Sequence, residues 1–152
     1  MYLINWGSVL LMADNLSQEH RTKNMKAIKS QSALENKVTK ALWKMGFRFR
    51  KNVNLFGKPD IAIKKYKIVI FIDSCFWHCC PIHGNMPKSN IDYWQKKLER
   101  NKNRDIEVNN FYKENGWNIL RIWEHEFKHN FEDAINKIAK FIGKNSGTYI
   151  LK

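Results

Sequence analysis

Apolar positions along the chain follow two periods, and each period predicts a kind of element. Leu34, Val38, Ala41, Leu42 and Met45 share one face of a 3.6-residue repeat, which predicts a helix that stops at Gly46. The string Ser32-Ala33-Leu34-Glu35 in front of it fits a capping box, in which Glu35 closes the helix start. Phe47, Phe49 and Val53 then alternate with basic residues, as on a half-exposed strand over residues 47–55. Gly57-Lys58-Pro59 breaks the chain, residues 60–63 read as a strand, 64–66 as a turn, and 68–72 as a buried strand. Residues 75–87 hold too many Cys, His, Pro and Gly for a regular element. A second helix is predicted from Asn90 to Gly116, with Ile91, Trp94 and Leu98 on one face. Its middle, residues 99–105, is almost wholly polar and belongs in solvent or on phosphate. Residues 117–123 form a further apolar strand; Phe131, Ile135, Ile138 and Ile142 form the stripe of a last helix closed by Gly143. Helices flanking a short mixed central sheet give a single α/β domain.

Charge adds a partner to this picture. The chain has 152 residues, which suits one core, and its 27 Lys and Arg against 14 Asp and Glu give a net charge of +13. A charge of that size repels itself unless a polyanion is present, and nucleic acid is the leading candidate. Coding bias toward Lys would raise the basic count but does not explain the shortage of acids. Residues 15–31, with His20, Arg21, Lys23, Lys26 and Lys29, read either as an arm on DNA or as an exposed surface helix. No apolar run approaches the ~20 residues that span a bilayer, so no membrane is expected. Met1 to Leu11 lacks the basic start and cleavage site of a secretory signal, which makes the cytoplasm the default compartment and Met12 a candidate true start.

Cysteine placement suggests a metal. Cys75, Cys79 and Cys80 crowd into six residues, a poor disulfide framework. Cys75, Cys80 and His83 offer three ligands of the kind zinc prefers, and His125, just past the strand that ends at Trp123, is the best fourth. Four protein ligands close the tetrahedron, so such a zinc would be structural. The competing reading is a set of unlinked thiols and surface histidines. Cys79 is a spare thiol.

A second group of residues points to hydrolysis. Asp60 opens one strand and Asp73 ends the next, and two such carboxylates on adjacent strands can converge. Hard cations such as Mg²⁺ take carboxylate and carbonyl oxygens, and phosphodiester hydrolysis uses them to polarise phosphate and activate water. His78 fits the zinc spacing less well and is free to act as a general base or acid near neutral pH. Phe76 and Trp77 precede it on an irregular, exposed segment, and Trp94 opens the next helix. Aromatic side chains can wedge between base pairs at a cost of about a few kcal/mol per step, a cost that a mismatch lowers. The alternative for Trp94 is burial in the core beside Leu98.

Taken together, these residues resemble the very short patch repair (Vsr) mismatch endonucleases. The resemblance rests on Arg21-Thr22-Lys23-Asn24-Met25, Gly57-Lys58-Pro59-Asp60, residues 69–84 with the Cys-Phe-Trp-His core, Tyr93-Trp94, Arg100-Asn101 through Arg104-Asp105, Gly116-Trp117 and Trp123-Glu124-His125-Glu126. It implies a restriction-endonuclease-like domain over residues 17–143, an N-terminal extension over 1–16 and a tail over 144–152. It also implies catalytic Mg²⁺ and structural Zn²⁺. In family terms Asp60 matches the metal-binding Asp, His78 the catalytic His, and Glu35 an acidic helper that holds a water of the metal shell. Phe76, Trp77 and Trp94 match the DNA wedge; Cys75, Cys80, His83 and His125 match the zinc set. The family pattern varies at Asp73, whose place as a Mg²⁺ ligand is inferred from the strand geometry; the Ile72 backbone carbonyl is the other candidate. The Lys that restriction-type sites carry after the second acid is missing, since Ser74-Cys75 stands there. The implied activity is one nick 5′ of the T in a T:G mismatch left by 5-methylcytosine deamination. The implied enzyme acts as a monomer on double-stranded DNA and hands its product to later repair proteins. Rival expectations are a restriction-like enzyme that cuts both strands, and a zinc-stabilised DNA-binding module without catalysis.

Overall fold

The structure, a computed structural model, describes residues 32–147 and Glu19. The predicted extension over 1–16 and, Glu19 apart, the predicted arm over 15–31 lie outside the described residues, as does the chain beyond 147. Within the main unit the elements run α1 (Ala33–Lys44), β1 (Arg50–Lys51), β2 (Ile61–Ile63), a 3₁₀ turn (Lys64–Tyr66), β3 (Ile68–Asp73), α2 (Ile91–Glu114), β4 (Asn118–Trp123), α3 (Glu124–His129) and α4 (Phe131–Ser146). The sheet has the order β1-β2-β3-β4. The first two pairings are antiparallel and β3 with β4 is parallel, so the sheet is mixed. Antiparallel β2 and β3 need only the short 3₁₀ turn between them. The parallel pair needs a long crossover, which α2 supplies.

The alternation of side chains along a strand sorts the residues between two cores. Ile68 and Ile70 on β3, Ile61 on β2 and Ile122 on β4 face one way, onto Val38 and Leu42 of α1 and Ile135, Ile138 and Ile142 of α4. Val69 and Phe71 face the other way with Ala62, onto Val108 and Tyr112 of α2. The sheet is thus the middle of three layers. Ile61, Ile68, Ile70, Ile122 and Ile138 are all fully buried, at about 1.5–3 kcal/mol each. The same parity has a consequence for the polar residues. Asp60, Asp73 and Arg121 stand an even number of positions from Ala62, Phe71 and Ile119, and so belong to the face under α2.

Three expectations need correction. The strand expected over 47–55 pairs only at Arg50 and Lys51, because Asn52 turns into a left-handed conformation (φ 47°) and ends the ladder. Its alternating apolar residues wrap the sheet edge instead: Phe47 and Phe49 pack on the α1/α4 core, Val53 and Leu55 on the α2 core. Met45, expected on the buried face of α1, is exposed, since the helix has ended at Lys44. The last helix runs through Gly143 to Ser146 and ends at Gly147, whose φ of 69° is the left-handed cap. Residues 144–146, expected in a tail, are therefore helical. Tertiary contact of Ile142 with the core outweighs the weak helix propensity of Gly143. At its start, Asn130 caps the helix by accepting from the Glu132 and Asp133 amides.

Candidate active site and metal-binding cluster

At the carboxyl end of β3, where β2, β4 and α2 meet, lies a cleft of about 390 Å³ lined by Glu35, Asp60, Ile72, Asp73, Trp77, His78, Asp105 and Arg121 among others. Asp60 sits just before β2, and its own amide extends the ladder by donating to the Ile70 carbonyl. Its Oδ2 accepts the Ile72 amide at 2.7 Å, in the place where a next strand residue would accept. The Ile72 carbonyl shares that strand edge, because the N–H and C=O of one strand residue point to the same neighbour. Burial pushes the Asp60 carboxyl up to about 7, against the pull of the Ile72 amide, and the nearby Glu35 and Asp73 charges add to the rise. A cleft where four carboxylates gather, with Asp60 and Asp73 mostly buried, fits a hard divalent cation through oxygen donors. Glu35, read first as a helix cap, lines this cleft from the first turn of α1.

His78 is brought over the cleft by the turn that follows β3, with its amide donating to the Ser74 carbonyl. Its Nδ1 lies 2.6 Å from Asp105 Oδ2 on α2, and its Nε2 lies 3.8 Å from Asp73 Oδ1. Burial works against the imidazolium, but the Asp105 hydrogen bond and the two carboxylate charges outweigh it and raise the His78 pKa. Asp73 itself is buried, and both its oxygens accept from Arg121 Nη1 at 2.9 Å. Arg121 also reaches Asp105 through Nη2 at 3.2 Å.

Sequence reasoning assigned no role to Asp105 or Arg121. The polar stretch over 99–105 was placed in solvent or on phosphate. In the structure Asn101 and Asp105, one helical turn apart, face inward to the site while Lys102, Asn103 and Arg104 stay exposed. A signal for Arg121 existed: it is the one charged residue in the strand Asn118–Trp123.

Beside the cleft three aromatics cluster, Phe76 edge-on to Trp77 and Trp94 and those two tilted against each other. Phe76 lies 5.0 Å from Trp77 and 5.4 Å from Trp94, ring centre to ring centre, and Trp77 lies 5.9 Å from Trp94. Trp77 is 40% exposed and the other two are half-buried, so the trio sits at the surface and Trp94 is not part of the core under α2. Asn101 Nδ2 donates to the Trp77 carbonyl, tying the loop to α2.

Cys75, Cys80, His83 and His125 converge, with one ligand atom from each all within 4.8 Å of one another. Cys75 and Cys80 are turned to the same side by a tight loop in which the Cys80 amide donates to the Cys75 carbonyl and Cys79 is left-handed (φ 53°). Cys79 points away, its thiol 3.9 Å from the Leu98 carbonyl. The loop closes at Gly84, where a Cβ would meet the Cys80 carbonyl oxygen at 2.6 Å, so only glycine fits. His125 is delivered by α3, with Nδ1 3.2 Å from Cys75 Sγ and 3.5 Å from Cys80 Sγ. Two sulfurs and two imidazoles at this spacing fit a tetrahedral soft-to-borderline cation. Glu124 accepts the Cys75 amide, orienting the first ligand from outside the cluster.

Comparison with known proteins agrees with this geometry. The family model described as "DNA mismatch endonuclease Vsr" matches residues 13–83. Among curated proteins, the chain is 43% identical to the type II nicking enzyme V.NaeI of Lentzea aerocolonigenes, over 78% of this chain and 74% of that protein. It is 42% identical to the type II nicking enzyme V.HpaIIP of Haemophilus parainfluenzae, over 85% of this chain and 95% of that one. It is 34% identical to the DNA mismatch endonuclease Vsr of Escherichia coli, over 74% of each chain. The family model covers Glu35, Asp60, Asp73 and His78 of the cleft and Cys75, Cys80 and His83 of the cluster, and with relatives of this identity and coverage the chain belongs to the Vsr family of DNA mismatch endonucleases.

Proposed function

We propose that the protein nicks one strand of duplex DNA on the 5′ side of the thymine in a T:G mismatch, of the kind that 5-methylcytosine deamination leaves, and so starts very short patch repair. The observation that carries this reading is the position of Trp77, which lines the carboxylate cleft and at the same time belongs to the surface trio of Phe76, Trp77 and Trp94. A wedge that opens a weakened base pair is thereby coupled to the groups that would act on the neighbouring phosphate.

Asp60 and the Ile72 carbonyl would hold Mg²⁺; Asp73, the other expected ligand, is engaged by Arg121. Such an ion polarises the phosphate and lowers the pKa of a bound water. His78 takes the proton of the attacking water at Nε2, while Asp105 on Nδ1 fixes the ring orientation. Glu35, which lines the same cleft, would hold a water of the metal shell. Arg104, exposed at its rim, holds backbone phosphate as part of the basic surface. Cys75, Cys80, His83 and His125 would hold a structural Zn²⁺ that fixes the loop carrying Phe76, Trp77 and His78. One cleft makes one cut, so a monomer suffices, in the cytoplasm where later repair proteins meet the nick. Among the described residues no helix is long and apolar enough to cross a membrane.

The test is a strand-labelled assay on duplexes that carry T:G, T:A or C:G at one position, with and without Mg²⁺. A single Mg²⁺-dependent cut 5′ of the mismatched T supports the reading. Equal cutting of matched duplexes, or a double-strand break, would replace it with a restriction-like activity; binding without any cut would leave a DNA-binding module.

A further inference from the structure

Arg121 stands opposite Phe71 in the parallel β3–β4 register, on the sheet face that α2 covers. Its guanidinium lies 4.6 Å from the Phe71 ring centre, and its side chain is only 18% exposed. Each donor group has its own acceptor. Nε donates to Asn109 Oδ1 at 2.7 Å, Nη1 to both oxygens of Asp73 at 2.9 Å, and Nη2 to Asp105 Oδ1 at 3.2 Å. The other oxygen of Asp105 meets His78. One planar fork therefore ties β3, β4 and two turns of α2 to the histidine. A lysine ammonium is a point charge and cannot reproduce that geometry.

The charges explain why the arrangement holds together. Asp73 is 3% exposed, and a buried carboxylate without a partner is strongly destabilising. Arg121 supplies that partner and spends its remaining donors on Asp105 and Asn109. For Asp73 to turn fully to a metal ion beside Asp60, it would have to give up the Arg121 hydrogen bonds that neutralise it. Asp73, expected as a metal ligand, instead has both oxygens engaged by Arg121 and lies 3.8 Å from His78 Nε2.

We propose that Arg121 is a positioning residue for strand cleavage: its guanidinium holds Asp105 against His78, and Asp73 is its counter-charge rather than a ligand of the metal. This rests on the reading that His78 handles the proton of the attacking water. A structural ion pair alone would account for the Asp73 contact, but not for a fork shared with the one carboxylate that bonds the histidine.

The experiment compares wild type, His78→Ala, Arg121→Lys, Arg121→Met and the double variant Arg121→Met/Asp73→Asn, all zinc-loaded. Mismatched-duplex affinity, single-turnover nicking rate and Mg²⁺ dependence are measured, together with the downfield Nδ1 proton of His78 by NMR without Mg²⁺. The double variant removes both charges and so melts near wild type. It is expected to bind DNA normally, to nick at least roughly 100-fold slower, and to lose the Nδ1 signal. The half-saturating Mg²⁺ concentration should stay that of wild type, and Arg121→Lys should recover about tenfold of the lost rate. A double variant that nicks at the wild-type rate with the Nδ1 signal intact overturns the positioning role. A raised Mg²⁺ requirement in it overturns the exclusion of Asp73 from the metal. Full nicking by His78→Ala would instead remove the underlying reading of the histidine, a result distinct from either.

Discussion

His78 Nδ1 and Asp105 Oδ2 stand 2.6 Å apart although 27 positions separate them in the chain. One sits on an irregular loop after β3 and the other in the middle of α2, so the pair exists only because α2 packs on the sheet with the right helical phase. A carboxylate on one ring nitrogen fixes which nitrogen is left to face the cleft. Asp105→Ala is therefore expected to lower the nicking rate by roughly 10²-fold with DNA affinity retained, read by single-turnover kinetics on a mismatched duplex. Wild-type kinetics in this variant would mean that the pair is a packing contact.

The Asp60 carboxyl, raised by burial to about 7, makes two opposite pH dependences. Its folded pKa lies above its ordinary 3.8, so its contribution to stability is complete below about pH 4 and is lost as pH rises toward 7. Without Mg²⁺ the protein should melt lower at pH 8 than at pH 5, and Asp60→Asn should shrink this difference by on the order of a few kcal/mol, leaving the part that follows His78, whose pKa is also raised. Mg²⁺ needs the ionised form, so its affinity should climb up to about pH 7 and then level off. Melting curves and calorimetric Mg²⁺ titrations across that range check both; a flat Mg²⁺ affinity would exclude Asp60 as a ligand.

Removal of the ion from the Cys75, Cys80, His83 and His125 cluster should leave two buried sulfurs beside imidazoles with only weak hydrogen bonds. Chelation, or Cys80→Ser, is expected to cost more than about 3 kcal/mol and to lower the melting midpoint by roughly 10 °C. Metal analysis should show one zinc per chain before treatment and none after. Protein free of zinc that melts unchanged would make the cluster incidental.

Gly57 is a separate test of the packing around the cleft. Its φ is 72°, and a Cβ there would meet the two methyl carbons of buried Val108 at 2.7 and 2.8 Å. Gly57→Ala should destabilise by about 1–3 kcal/mol, seen in urea unfolding, with Val108→Ala in the same chain relieving the clash but not the backbone strain.

Truncation of Trp77, the proposed wedge residue nearest the cleft, should separate recognition from chemistry. Trp77→Ala removes the ring shared by the trio and the cleft, and is expected to reduce the preference for T:G over T:A by about tenfold. The rate on a substrate with the thymine already unpaired should change less. An unaltered preference would assign mismatch selection to other residues.

Much of this protein is legible along the chain. The continuous apolar run of residues 68–72 and the 3.6-residue stripe of Ile135, Ile138 and Ile142 determine a buried strand and a helix with one buried face, because burial of those side chains dominates the local preferences. The Cys75, Cys80 and His83 spacing and the Phe76-Trp77-His78 string point to the convergent Cys/His cluster and the surface aromatics, because loop chemistry is local in sequence. The surroundings of His78 are different. Whether Asp105 points to His78 or to solvent depends on the rotation of α2 against the sheet, and the partners of Arg121 depend on the parallel register that sets it opposite Phe71. A polar residue carries no periodic signal of its own, and an acid that meets a base across 27 or 48 positions leaves none in either segment. Those pairings were decided by the tertiary structure, since only the packing of three layers brings the groups within reach and excludes enough water for their charges to act on one another.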